Sequence, residues 1–196
     1  MKIRQYLIEE DIDFSVIVHT IKRDCKPAIS FYKNAKNPLY RGLANDTKDN
    51  FIKKTARTDR QPRVIGEPLH DLLDKCFMKH FGWKARSEGV FTGSKDIANS
   101  WGKMYTVFPI GKFEYIYTVD PLDNFWKILV EYRRYKTFTQ AEVDMICSRV
   151  KGEYRNKGLE NIIKNGNTDF EAILRCKEYY AVLSSKEMFD YIMENV

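Results

Sequence analysis

Residues 67–82 constrain the fold more than any other stretch of the chain. Leu69, Leu72, Leu73, Cys76 and Phe77 recur at i, i+3, i+4, i+7 and i+8, which aligns them as one apolar stripe on a helix. Pro68 suits the first turn, where a missing N–H costs nothing, and Gly82 suits a left-handed stop. A helix with a single stripe must lay it against another layer. The residues that follow read as strands with a short helix between them. Residues 89–93 form a strand, and 104–110 and 113–119 are two β-rich runs whose separation by Gly111-Lys112 predicts a hairpin. Ser94 stands where it would cap a short helix over 95–101, ended by Gly102.

The flanks extend the same alternation. Residues 12–24 place Phe14, Val16, Ile17 and Ile21 in a helical pattern, and Pro27 opens a second short helical segment through Tyr32. Asn37-Pro38 breaks that region, and Leu39-Tyr40-Arg41-Gly42-Leu43 reads as a short strand ending in a turn. Residues 46–63 are polar and basic; they read as a short helix through Thr55 followed by a loop. Thr139-Gln140-Ala141-Glu142 is a capping-box signature with Val143, Ile146, Cys147 and Val150 on one face behind it. Residues 151–168, with Gly152, Gly158 and Gly166, read as a surface loop. Residues 170–175 and 179–183 read as a second strand pair, and a terminal helix follows from Ser184 with Met188, Phe189, Ile192 and Met193 as its apolar face. The sum is an α+β chain, one domain over 1–196, with a helical N-terminal region over 1–36.

Composition narrows the class. Of 196 residues, 43% are hydrophobic and 14% aromatic, enough for one sizeable core. No apolar run approaches the roughly 20 residues needed to span a bilayer, and the N-terminus lacks an apolar signal core. The expectation is a cytoplasmic protein with no membrane partner. Four separated cysteines (Cys25, Cys76, Cys147, Cys176) then read as reduced thiols, with Cys176 in a turn. No metal is expected, because His19, His70 and His80 lack ligand spacing relative to those cysteines, and His70 and His80 read as solvent-facing. The net charge of +6 favours acidic partners such as nucleic acid or a phosphorylated cofactor.

Three short segments carry the chemistry. Tyr40-Arg41-Gly42 offers a guanidinium, Phe91-Thr92-Gly93-Ser94 a pair of hydroxyls, and Asp169-Phe170-Glu171 a carboxylate at the head of an apolar strand. A cation, a hydroxyl and a carboxylate meeting at one site could grip a phosphate and stabilise a developing positive charge, which is what breaking a glycosidic bond requires. In this order the segments resemble the Arg-Ser-Glu class of ADP-ribosyltransferases. The informative positions number about a dozen between residues 39 and 183. Thr92 stands where the family has its first serine, and Asp169 replaces the usual Glu or Gln.

The resemblance implies an ADP-ribosyltransferase-like mixed sheet and NAD as substrate. It gives Arg41 the role of holding a phosphate or ribose, has Thr92 and Ser94 orient the ribose or the glutamate, and has Glu171 stabilise the oxocarbenium-like state. Asp169 would help choose the acceptor, with protein favoured over nucleic acid. Trp101, Tyr105 and Phe108 are the candidates for a flat nicotinamide slot, and Arg86 a candidate for a cofactor or acceptor contact. Members of the family act in bacterial toxins, bacteriophages and conflict systems, which would place a viral member in the host cytoplasm. A second reading from another class is a non-enzymatic basic module on a transferase-like scaffold, docking on nucleic acid or a protein partner through the Lys53–Arg63 surface.

Overall fold

The computed structural model describes residues 14–60, 66–119, 130–132, 134–166 and 170–196. The chain is mixed α+β, built on one seven-stranded sheet whose adjoining strands all run antiparallel. Helices α1 (Phe14–Asp24) and α2 (Lys26–Ala35) precede strands β1 (Tyr40–Leu43) and β2 (Phe51–Thr55). Helix α3 (Glu67–Phe81) and the single turn α4 (Ala85–Glu88) lead into β3 (Val90–Gly93), α5 (Lys95–Ser100), β4 (Lys103–Pro109) and β5 (Glu114–Thr118). Helices α6 (Gln140–Glu153) and α7 (Leu159–Lys164), strands β6 (Glu171–Arg175) and β7 (Glu178–Leu183), and helix α8 (Lys186–Asn195) complete the order.

Local chemistry sets most of these boundaries as the sequence implies. Helix α3 carries Pro68 in its first turn and ends on Gly82 at φ 80°, with every residue of its stripe buried. Thr139 and Glu142 form the reciprocal capping box at the start of α6. The terminal helix starts one residue later than its pattern suggests, because Ser185 is the residue whose side chain accepts from the Met188 N–H.

The sheet order is β2-β7-β4-β1-β3-β6-β5, and it corrects two expected pairings. The runs 104–110 and 113–119 are strands β4 and β5 but not a hairpin: β4 pairs with β1 and β7, and β5 with β6. Every residue of β4 from Tyr105 to Pro109 is buried, so this strand needs a partner at both edges, and the Gly111 turn cannot reveal which ones. Likewise β6 and β7 do not pair with each other; β6 lies between β3 and β5, and β7 between β4 and β2.

That order also forces curvature. Only Cys176 and Lys177 separate β6 from β7, and the three steps from Arg175 to Glu178 reach at most about 11 Å. In a flat sheet those strands would stand four spacings apart, roughly 19 Å. The sheet must therefore roll until the end of β6 meets the start of β7. The weak seam lies at its middle: β1 and β3 share the one register pair Tyr40–Gly93, whereas the other neighbours share four or five.

Two apolar clusters cover this sheet. The larger joins α1, α2, α7 and α8 to β4, β7 and parts of β3 and β6, with Tyr32, Phe108 and Phe189 in mutual ring contact. The smaller places the stripes of α3 and α6 against Phe91, Ile116 and Ile173. Here Cys76 and Cys147 form a disulfide between α3 and α6, with Cα atoms 4.9 Å apart. The expectation of four reduced thiols is thus corrected, since helix packing brings together two cysteines that their separation in sequence keeps from being read as a pair. Cys25 and Cys176 stay free.

Two further segments differ from the sequence reading. Residues 51–55 are a strand on the edge beside β7 rather than a helix, because pairing along β7 overrides the helix preference of the lysines. Lys53 there pairs with Glu178 at 2.8 Å, and charged side chains suit an edge strand. Residues 151–166 are not a plain surface loop. Helix α6 runs on through Glu153, Arg155 forms a bridge with Tyr117, and α7 buries Leu159 and Ile163. Among the described residues, no helix is long and apolar enough to cross a membrane.

Candidate functional site

The three segments singled out in the sequence become three neighbouring strands. Strand β3 lies between β1 and β6, and the row Tyr40–Gly93–Glu171 crosses all three. Gly93 has no room for a side chain: a Cβ there would lie 2.9 Å from the Phe170 carbonyl and 3.1 Å from Ile97. The neighbouring Gly42 is tighter, since a Cβ would sit 2.4 Å from the Ala98 carbonyl oxygen. Both glycines let α5 press onto the seam between β1 and β3. That packing places the start of α5 beside the head of β6.

Arg41 follows the row by one residue and fills the gap where β1 and β3 part. Its Nη1 donates to the Phe91 carbonyl at 2.8 Å, while its buried Nε has no partner among the described residues. Thr92 is fully buried, and its hydroxyl donates to the Ala172 carbonyl at 2.9 Å. That bond ties β3 to β6, so Thr92 holds the strand carrying Glu171 in place. Ser94 occupies the N-cap position of α5, yet its side chain makes no cap bond. The residue is 5% exposed and its Oγ is buried without a partner among the described residues. Capping therefore does not account for this serine.

Glu171 heads β6 and keeps partial exposure. The Tyr154 hydroxyl donates to its Oε1 at 3.2 Å. Desolvation raises its pKa above the ordinary carboxylate range, against the opposing pull of Arg86, the Tyr154 hydrogen bond and Arg60. The positive charges that act on Glu171 are thus those of Arg86 and Arg60, and that of Arg41 is not among them. Asp169 lies outside the described residues.

Arg60 and Arg86 both stack on one ring. The Arg60 guanidinium lies 4.2 Å from the Phe91 centroid and that of Arg86 lies 4.9 Å from it. Burial, followed by repulsion from Arg41 and Arg86, lowers the Arg60 pKa to about 10, and its buried Nη1 lacks a partner among the described residues. The backbone holds the pair in register. The Arg60 N–H donates to the Ser87 carbonyl at 3.3 Å, and the Arg86 N–H donates to Asp74 Oδ1 at 2.8 Å. Asp74 also accepts from Ser87, whose hydroxyl lies 3.0 Å from His70 Nε2. His70 is buried rather than solvent-facing, and desolvation lowers its pKa.

The proposed nicotinamide-slot residues separate. Phe108 is fully buried against Tyr32 and Phe189, and Tyr105 is fully buried with its hydroxyl donated to the Asp49 carbonyl at 2.9 Å. Both are packing residues, which corrects their assignment to the slot. Trp101 is 41% exposed at the end of α5 and keeps a free face. A surface depression lined by Phe81, Trp83, Phe113, Glu114 and Tyr115 contains none of these residues. It lies toward the Glu114–Arg175 end of the β5–β6 pair, away from Glu171.

No family model, curated protein or solved structure matches this chain. Geometry must therefore carry the functional reading. It supplies a desolvated carboxylate, a buried hydroxyl without a partner among the described residues, and three guanidiniums around Phe91. Such a set can bind a phosphorylated ligand and present negative charge where positive charge develops. Sequence reasoning missed Tyr154, which lay in the segment read as a loop. It also read Arg60 as part of a solvated basic stretch. The sequence carries no local signal for this pair, because Arg60 and Arg86 meet Phe91 only in the fold.

Proposed function

We propose that this protein is an NAD-dependent mono-ADP-ribosyltransferase with an ADP-ribosyltransferase-like fold, modifying a macromolecular acceptor, with protein favoured over nucleic acid. The observation that carries the proposal is the adjacency of β1, β3 and β6, which brings together strands carrying or leading into an arginine, a serine and a glutamate, spread over more than a hundred residues of sequence, in the order the resemblance requires. Glu171 serves as the carboxylate that engages the nicotinamide ribose and stabilises the oxocarbenium-like state. Its desolvation concentrates that charge, because interactions strengthen where water is excluded. Ser94 donates to the ribose or to Glu171, Arg41 holds a phosphate or ribose, and Thr92 acts by fixing β3 to β6. Trp101 offers its exposed face to the nicotinamide.

The basic docking-module reading has less support. Lys53 pairs with Glu178, Arg57 with Asp59, and Arg60 stacks on Phe91, so much of that segment's charge is engaged within the molecule. Incubation with labelled NAD, with and without cell extract, tests the proposal. Wild type should release nicotinamide or transfer label, and Glu171→Ala should do neither. A wild-type protein that leaves NAD intact under all conditions, yet binds DNA or RNA with a steep salt dependence, would overturn it in favour of the docking module.

A further inference from the structure

Three guanidiniums converge on a single residue. Arg41 takes the carbonyl of Phe91, while Arg60 and Arg86 lie over its ring at 4.2 and 4.9 Å. Stacking on an aromatic face compensates part of the cost of bringing like charges together, but it neutralises none of the charge. The nearby carboxylates do not neutralise it either. Asp74 spends its oxygens on backbone N–H groups and the Ser87 hydroxyl rather than on a guanidinium, and Glu171 is a single carboxylate set against three cations. Arg60 Nη1 and Arg41 Nε are buried donors without partners among the described residues. Buried cationic donors left open are costly unless an anion completes them.

We infer that Arg60 and Arg86, stacked on Phe91, form a diphosphate-binding site that holds the donor nucleotide beside Glu171. Two planar forks suit two adjacent phosphates, since each guanidinium can pair with oxygens in bidentate fashion. Position supports a nucleotide. In a dinucleotide, one ribose ring separates the anomeric carbon from the 5′-phosphate, and Arg86 and Arg60 both exert their charge on Glu171. The identity of the nucleotide rests on the NAD reading; the anion site does not. Two anchors hold it: α4 is tied down by Asp74, and Arg60 by the Ser87 carbonyl.

Binding of inorganic pyrophosphate to the full chain, measured by calorimetry, tests the site directly, with ADP-ribose as competitor. Wild type should bind pyrophosphate, with affinity falling as salt rises, and ADP-ribose should displace it. Arg60→Gln and Arg86→Gln should each weaken binding about tenfold or more, and the double variant should abolish it. Melting curves without ligand show whether each variant folds. If a glutamine variant unfolds, Arg60→Lys and Arg86→Lys keep the charge but lose the fork and should still weaken binding severalfold. No pyrophosphate binding by wild type, or equal binding by wild type and a folded double variant, would overturn the inference. Pyrophosphate binding that depends on both arginines, with NAD left intact, upholds the anion site and removes the transferase reading. NAD cleavage with no contribution from either arginine to pyrophosphate or ADP-ribose binding does the reverse.

Discussion

The two apolar clusters treat polar atoms in opposite ways. In the larger one, under α1, α2 and α8, polar groups find partners: Tyr32 donates to the Val107 carbonyl, Tyr180 to Asp24, and Thr106 pairs with Ser184. Around the smaller one and the adjoining β1–β3 seam, Arg41 Nε, Arg60 Nη1, His70 Nδ1 and Ser94 Oγ are buried without partners among the described residues. Each such atom costs stability that ordinary packing would recover. One side of the molecule is arranged for stability, and the other holds groups in a state suited to a ligand. Unsatisfied groups clustered around one seam point to a site more strongly than any single residue does.

Truncation on the two sides should break or confirm this contrast. Phe108→Ala removes a fully buried ring from the satisfied side and should cost about 3–5 kcal/mol, read as a lowered denaturation midpoint at unchanged slope. A loss below about 1 kcal/mol would mean that this cluster is not the stabilising one.

Glu171→Gln should do the opposite. The folded state raises the Glu171 pKa, so it holds the proton more tightly than the unfolded chain does. The sign follows: Glu171 is least destabilising below its unfolded value of about 4.3, and stability declines as pH rises through the folded value. At neutral pH the variant should therefore be as stable as wild type or more so, while nicotinamide release falls at least about a hundredfold. Wild-type activity should appear as pH rises through the raised Glu171 value, because the carboxylate must be ionised to act. Destabilisation of the variant at pH 7 would show that Glu171 is a structural ion instead.

The disulfide should contribute less. Cys76 and Cys147 close a 71-residue separation between α3 and α6, and opening a link of this kind costs about 2–4 kcal/mol. Reductant should lower the melting temperature of wild type but leave that of a Cys76→Ala/Cys147→Ala variant unmoved. Equal shifts in both would place the sensitivity elsewhere.

The sequence made legible what local chemistry fixes. The α3 stripe, its Pro68 and Gly82 bounds, the Thr139 box and all the strands but β2 follow from neighbouring residues. Pairing did not follow, because β4 and β5, and equally β6 and β7, are close in sequence while their partners lie elsewhere. Residues 51–55 became a strand only because β7 offered an edge. In the site, Glu171 and Arg41 stood out by their neighbours. Tyr154, Arg60 and Arg86 matter through contacts across the fold that no local spacing encodes. The disulfide was hidden for the same reason, since each of its cysteines looks like an ordinary member of an apolar helix face.

The smallest effect gives the sharpest version of the contrast, because two serines occupy the same position on two helices. Ser185 at the start of α8 accepts from the Met188 N–H at 3.0 Å, whereas Ser94 at the start of α5 makes no cap bond and buries a hydroxyl with no partner among the described residues. Ser185→Ala should cost about 1 kcal/mol with activity unchanged. Ser94→Ala removes a hydroxyl that has no partner among the described residues, so stability should hold or rise slightly. If Ser94 serves the ligand, the same variant should lower nicotinamide release severalfold. Paired chemical denaturation and activity measurements on both variants decide it: equal stability losses would make Ser94 an ordinary cap, and unchanged activity in Ser94→Ala would remove it from the site.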